Sequence, residues 1–157
     1  MNSIGKLLAC LEVLEVNPSL ESFADRKRNQ KLAYLVQEVA GISLGYSFSW
    51  YIRGPYAPSL TRDLYANTGS KTSLSTSHGL KEEERSKMDQ LRNFLGDYVN
   101  SSDLLELLVS LHFLRKLGRQ YGAPQEEIIR VLKEKKPFFS DQDVSKCWLK
   151  LEELENY

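Results

Sequence analysis

Few residues in this 157-residue chain combine the types and spacing that catalysis or metal binding requires. The chain has two thiols, Cys10 and Cys147, and two imidazoles, His78 and His112. The histidines lie far apart in the sequence, and neither has a Cys or His neighbour at the spacing of a zinc site. The sequence therefore predicts no bound metal.

A nucleophile pair of Cys147 and His112 is the strongest catalytic candidate, but its predicted setting is unsuitable. Both residues fall on apolar helix stripes that face inward, whereas a reactive thiolate needs a polar, partly exposed site. His112 is expected to be a hydrogen-bonded core histidine. No glycine-rich phosphate loop, G-x-S-x-G turn or dinucleotide fingerprint occurs. We predict a protein that is not an enzyme and has no cofactor; an enzyme would need a cleft combining His112, or a perturbed carboxylate, with a bound ligand.

The most informative stretch is Tyr46 to Leu64, read as YSFSWYIRGPYAPSLTRDL. Its aromatic residues come close to the alternation of a short half-buried strand. Gly54 and Pro55 are expected to end that strand, because glycine permits unusual dihedral angles and proline fixes its own. Pro58 is typical of the first turn of a helix. The sequence predicts a strand, a tight corner and a helix.

This corner is the predicted binding surface. Tyrosine and arginine are enriched at the energetically dominant positions of protein interfaces. The candidate partner-binding residues are therefore Tyr51, Arg53, Tyr56 and Arg62. The alternative for Tyr56, and equally for Trp50, is that the ring only packs the turn.

The composition is that of an ordinary globular domain, at 41% hydrophobic and 27% charged residues. Basic and acidic residues balance at 21 each, so no global charge indicates a nucleic acid or a membrane. The N-terminal segment has no basic start and no small-residue cleavage site. We interpret it as a mature helix of a cytoplasmic protein. Cys10 and Cys147 are expected to be buried free thiols, as in a reducing compartment.

Apolar periodicity predicts helices along most of the chain. The first stripe comprises Ile4, Leu7, Leu8, Leu11 and Leu14, and Asp25 is the expected N-cap of the second helix. Residues 103–117 are apolar on nearly all sides, which predicts a buried central helix of the C-terminal half. The predicted helices span about residues 4–15, 25–40, 58–66, 81–99, 103–117, 124–134 and 141–154, and residues 67–79 form a Ser/Thr/Gly-rich loop.

Basic residues concentrate between residues 26 and 71, where the chain has seven lysines and arginines but two acidic residues. A DNA-binding regulator is therefore the alternative function, with phosphate contacts from the second helix and from a wing in the loop. The candidate residues are Arg26, Lys27, Arg28, Lys31 and Lys71. The other interpretation is that residues 25–31 form a solvated first helical turn.

Two segments together resemble a known family. KLAYLVQEVAG at 31–41 and YSFSWYIRGPYAPSLTRDL at 46–64 are similar to the pattern of the YwgA-like family, which is related to the Panacea domain. The tail segments LELLVSLHFL (105–114) and KKPFFSDQDVSKCWLKLEEL (135–154) resemble the same group, so the resemblance covers about residues 29–154. One departure is Ala57, where serine is frequent; alanine removes a side-chain cap for the following helix.

The resemblance implies a small, mainly α, winged-helix-like fold without enzymatic activity. Panacea domains are associated with toxin neutralisation, and related proteins often belong to mobile elements and phages. We therefore expect a non-catalytic regulatory or protein-interaction module, with an antitoxin-like role as its sharpest form and a toxin as one candidate protein partner. The leucine-rich C-terminal half leaves a homodimer open.

The predicted fold class is mainly α (α+β). A winged-helix-like half at 1–80, with one or two short strands near residues 46–53, packs on a helical bundle at 81–157. The two halves form a single domain at 1–157.

Overall fold

The computed structural model describes residues 3–67 and 79–155 of the chain. These residues contain seven α-helices, one 3-10 helix and one two-stranded antiparallel sheet, which confirms the mainly α prediction. The elements are α1 Ser3–Val13, α2 Phe23–Glu38, β1 Ser49–Tyr51, β2 Gly54–Tyr56, α3 Pro58–Ala66, α4 Glu82–Leu95, the 3-10 helix Gly96–Asn100, α5 Ser102–Gln120, α6 Gln125–Lys135 and α7 Asp141–Glu155.

The chain divides into two compact units, Met1–Leu105 and Glu106–Tyr157, whereas the sequence suggested two halves that meet at residues 80 and 81. The difference concerns α4, which packs on α1 in the first unit. Two ion pairs join these helices and their ends: Lys6 with Glu84 at 2.8 Å and Arg92 with Glu15 at 3.0 Å. Glu84 also accepts a hydrogen bond from the Lys81 N–H. The bond from Lys6 is the main reason why the pKa of Glu84 is lowered.

The core of the first unit follows the predicted stripes. All five apolar residues predicted for the α1 stripe are buried. On α2, Leu32, Leu35 and Val36 are buried, whereas Val39 is half-buried and forms the C-cap. The predicted N-cap Asp25 is wrong. Helix α2 begins earlier, at Phe23, because the Ser22 hydroxyl accepts a hydrogen bond from the Asp25 N–H at 3.0 Å.

The second unit contains most of α5 together with α6 and α7. Every residue from Leu105 to Leu111 is buried, which confirms the predicted buried helix. Gly118 permits a close approach to α6, because a Cβ at this position would lie 3.0 Å from the Ile128 side chain. The Arg115 guanidinium lies over the Trp148 ring at 4.2 Å. Burial lowers the pKa of Arg115, with a smaller contribution from the charge of Arg119.

A buried ion pair fixes the segment between α6 and α7. Lys136 Nζ donates to Glu106 Oε2 at 2.7 Å, and both side chains are 1% exposed. The Lys136 N–H also caps α6 by donating to the Leu132 carbonyl. Glu106 therefore explains why a charged lysine can lie in the interior at this point.

The strand prediction needs one correction. Gly54 and Pro55 do not simply break the strand, since they form β2 and return the chain along β1. The wing was expected within the loop at residues 67–79, which also contains His78. Residues 68–78 lie outside the described residues, so the winged-helix comparison stays a prediction. Within the described ranges, no helix combines the length and apolarity needed to cross a membrane.

Candidate protein-binding surface

The β1–β2 hairpin has a turn of two residues, Ile52 and Arg53. Tyr51 pairs with Gly54 across the turn, followed by Trp50 with Pro55 and Ser49 with Tyr56. Gly54 has a φ of 89°, a left-handed conformation that favours glycine because it lacks a Cβ. This glycine allows the turn to be short and places Ile52 and Arg53 at the extreme end of the hairpin.

Pro55 lies at a ladder position that needs no N–H group. In an antiparallel pair of strands, alternate residue pairs exchange no hydrogen bonds with each other, and their backbone groups point out of the ladder. Because proline has no N–H, its pairing with Trp50 must be of this kind. The Pro55 carbonyl thus faces away from β1, where Lys31 of α2 donates to it at 2.8 Å.

Gln30 of α2 holds the residue that follows the hairpin. Its Nε2 donates to the Ala57 carbonyl oxygen at 3.0 Å, and its Oε1 accepts from the Ala57 N–H at 3.0 Å. The side-chain amide thus satisfies both backbone groups of one residue, as a neighbouring strand would. Nε2 also donates to Thr61 Oγ1 at 2.9 Å, and that hydroxyl bonds the Tyr56 hydroxyl at 2.7 Å. The start of α3 is thereby fixed without a side-chain cap from Ala57.

Gln37, near the end of α2, bonds both backbone groups of Tyr46, which precedes β1, just as Gln30 does for Ala57. It accepts from the Tyr46 N–H at 3.0 Å and donates to the Tyr46 carbonyl at 2.7 Å. The Tyr46 hydroxyl donates to Asp63 of α3 at 2.7 Å. Burial raises the pKa of Tyr46, and the hydrogen bond and charge of Asp63 raise it further. We call the contacts of Gln30, Lys31 and Gln37 with the chain at 46–57 the hairpin base.

The other end of the hairpin is exposed. Ile52 is 88% exposed and Tyr51 is 47% exposed. Phe23, the first residue of α2, is 53% exposed, and the Arg53 guanidinium lies 5.5 Å from the centre of its ring. Lys27 Nζ lies 6.0 Å from the centre of the same ring. We call Phe23, Tyr51, Ile52 and Arg53 the hairpin tip.

The four predicted partner-binding residues have different settings. Tyr51 and Arg53 belong to the hairpin tip, and Arg62 is exposed on α3. Tyr56 is half-buried; its hydroxyl bonds Thr61 and its ring meets the Tyr51 ring edge-on at 5.2 Å. Tyr56 therefore supports the turn, as the alternative interpretation held. The predicted set does not include Phe23 and Ile52, which are also exposed at the hairpin tip. The signal available for Ile52 was its place between the aromatic pair Trp50–Tyr51 and Arg53.

Four of the five residues predicted to bind nucleic acid are described, and all four make contacts within the first unit. Lys31 is 1% exposed, so its predicted phosphate contact is wrong for this conformation. Lys27 pairs with Asp103 at 2.7 Å, and only 7% of its side chain is exposed. Arg26 donates to the Leu20 and Glu21 carbonyls, and Arg28 lies 3.9 Å from the Asp25 carboxylate. Lys71 lies outside the described residues.

The candidate catalytic side chains lie in the second unit. Cys147 is a buried free thiol, and burial raises its pKa to about 12. His112 is half-buried on α5. Cys10, in the first unit, is likewise a buried free thiol whose pKa burial raises to about 12. These pKa values keep both sulfurs protonated near neutral pH, where a thiol is a poor nucleophile. Within residues 3–67 and 79–155, no three His, Cys, Asp or Glu residues group closely enough to hold a metal ion.

Comparisons with known proteins assign neither a family nor a function to the chain. No protein-family model matches the chain, and searches of curated proteins and of solved structures find no significant match.

Proposed function

We propose that the chain is a non-catalytic protein-interaction module that binds its partner through the hairpin tip. The observation that carries the proposal is the contrast within one hairpin. Its base is fixed by buried hydrogen bonds, whereas its tip exposes an isoleucine, two aromatic rings and an arginine. A pre-organised anchor loses little conformational entropy on binding, so such a tip suits recognition.

Residue types at the tip also fit an interface. Tyrosine and arginine are common among the residues that dominate binding energy, and a central apolar side chain gains from losing its contact with water. The antitoxin-like form of the proposal, with a toxin as partner, rests on the resemblance of residues 29–154 to the YwgA-like and Panacea group. The hydrogen bonds that Lys31 and Gln37 make give a physical role to two polar residues of the segment at 31–41 that carries this resemblance.

The DNA-binding alternative has less support. Of the four described basic residues on which it depends, Lys31 is buried and Lys27 is paired with Asp103. Arg26 donates to backbone carbonyls, and Arg28 lies near Asp25. A phosphate-binding surface needs several accessible cations, because each contact contributes through counterion release.

The proposal is tested by affinity capture from an extract of the native cells with the full chain as bait. The double variant I52S/R53S removes the apolar and basic side chains of the tip. The matched control L149S/K150S removes an aliphatic side chain and a neighbouring basic side chain from α7, where Leu149 is 64% exposed. We expect a stoichiometric protein to be retained by the wild-type chain and the control but lost by the tip variant. Equal retention by both variants, or no stoichiometric protein at all, would contradict the proposal.

A further inference from the structure

The charge around the hairpin tip indicates what kind of surface it meets. Between Glu38 and Asp63 the chain contains no acidic residue, but it contains Arg53 and Arg62. Both arginines are exposed. The tip and α3 thus expose two arginines, and the Asp63 carboxylate that follows Arg62 accepts a hydrogen bond from the Tyr46 hydroxyl.

Neither arginine is neutralised by a carboxylate of the described residues. In the same unit, Lys6, Lys27, Lys87 and Arg92 each lie within 3.5 Å of an acidic oxygen. Arg53 instead lies against the Phe23 ring, and Arg62 makes no ion pair with any residue at 3–67 or 79–155. A planar guanidinium can donate two parallel hydrogen bonds to one carboxylate, so both arginines are suited to an acidic group from outside the chain.

The apolar residues of the tip indicate what kind of binding site the partner has. Ile52 projects from the end of a convex turn and is 88% exposed, with Tyr51 and Phe23 also exposed. A convex apolar anchor gains most when it enters an apolar cleft, because that removes the largest area from water. Phosphate groups of a nucleic acid offer no such cleft to an isoleucine.

We infer that the partner is a protein with an apolar cleft that receives Ile52 and with aspartate or glutamate side chains on the rim that pair with Arg53 and Arg62. This inference rests on the proposed function and adds the chemistry of the partner. The basic side chains speed and orient the encounter, and the apolar anchor holds the complex. The Phe23 ring keeps the Arg53 guanidinium directed at the rim.

Charge variants test the acidic rim. The probe is the protein retained by the wild-type chain in the capture experiment, titrated against R53K/R62K, R53Q/R62Q and R53E/R62E. We expect the lysine variant to bind about threefold more weakly than wild type, because it keeps the charge but loses the two parallel hydrogen bonds of a guanidinium. The glutamine variant should bind about tenfold more weakly than wild type, and the glutamate variant more weakly still. Binding of the wild-type chain should weaken as salt rises, because salt screens exposed charges. Equal affinity of all four chains would overturn the acidic rim but leave the proposed function standing.

Carbodiimide coupling of the R53K/R62K complex tests the rim directly, because this reagent joins a lysine amine only to an adjacent carboxyl group. We expect isopeptide links from positions 53 and 62 to aspartate or glutamate of the partner. The variant R85K, at an exposed position on α4, is the control and should form none. Retention that nuclease abolishes, or retention of a second copy of this chain, would overturn the inference. Failure to retain any protein would remove the proposed function as well.

Discussion

The two ends of one short hairpin differ in burial, bonding and charge. At the base, α2 side chains satisfy backbone groups of residues 46–57 in the interior. At the tip, a few residues along the chain, Ile52 and Arg53 are exposed. The base has backbone groups paired with α2 side chains, whereas the tip exposes apolar and basic side chains.

This difference separates two roles that the sequence pattern combines. The Gly-Pro-Tyr corner looks like one motif, but Pro55 belongs to the base and Ile52 to the tip. Changes at the base should alter the free energy of unfolding. Changes at the tip should alter binding and leave the free energy of unfolding nearly constant.

The largest effect on stability is expected for Gln30→Ala. The substitution leaves the buried N–H of Ala57 without its partner, whereas the Ala57 carbonyl still accepts from the Leu60 N–H. An orphaned buried N–H costs about 1–3 kcal/mol, and the bond to Thr61 is lost as well, so we expect a loss of about 2–3 kcal/mol. Denaturant unfolding measures the change. The control is Gln90→Ala, an exposed glutamine on α4, with an expected change within about 0.5 kcal/mol. Equal effects of the two substitutions would show that the base does not hold the hairpin.

A smaller loss is expected for Gly54→Ala. Gly54 has a φ of 89°, and an alanine there adopts a left-handed conformation at a cost of about 1–2 kcal/mol. Gly79→Ala is the control, because a Cβ at Gly79 has no atom within 4 Å and its φ is not in the left-handed region. Thermal unfolding of the two variants compares them. A Gly54→Ala chain as stable as wild type would mean that the turn relaxes into another form.

Tyr46→Phe should cost about 1 kcal/mol at neutral pH, because it removes the hydrogen bond to Asp63. It should also change the response to alkali. Since the pKa of Tyr46 is raised on folding, the native state holds its proton where the unfolded tyrosine, with a pKa of about 10, loses it. The contribution of the protonated Tyr46 hydroxyl to the free energy of unfolding is therefore complete below pH ~10 and is lost as the pH rises further.

Unfolding midpoints between pH 8 and ~11 test this, and the wild-type chain should lose stability more steeply above pH ~10 than the phenylalanine variant. The variant should not become insensitive to alkali, because burial also raises the pKa of Tyr34. Parallel pH profiles for the two chains would contradict the assigned role of the Tyr46 hydroxyl.

The smallest effect on stability is expected for I52S/R53S at the tip. Both side chains are exposed, so the free energy of unfolding should change by no more than about 0.5 kcal/mol. Chemical denaturation of this variant beside the wild-type chain gives the difference. A loss as large as that of Gln30→Ala would mean that the tip is part of the folding core.

Much of the fold could be predicted because apolar periodicity reports burial directly. The α1 stripe and the buried α5 both follow from it. The hairpin base could not be predicted. Gln30, Lys31 and Gln37 are polar helix residues, which a periodicity argument assigns to solvent, and their bonds reach chain segments distant in sequence. The position of β2 could not be predicted, because a proline usually breaks strands and only the structure shows that Pro55 lies where no N–H is needed.

The candidate site was predictable in part for the same reason. Residue type identified Tyr51, Arg53 and Arg62, all exposed, since side-chain chemistry can be read from single positions. Residue type could not reveal that Phe23 lies beside Arg53, or that Lys31 is buried, because both depend on the packing of α2 against the hairpin.

The most direct test of recognition by the hairpin tip is the dissociation constant of the captured protein. It is measured for the I52S/R53S chain and for the L149S/K150S chain at the same folded fraction. We expect the tip variant to bind at least about 100-fold more weakly, since losing a buried apolar anchor and a charged contact removes about 3 kcal/mol or more. The control should bind as the wild-type chain does. Equal dissociation constants for the two variants would contradict the assignment of recognition to the hairpin tip.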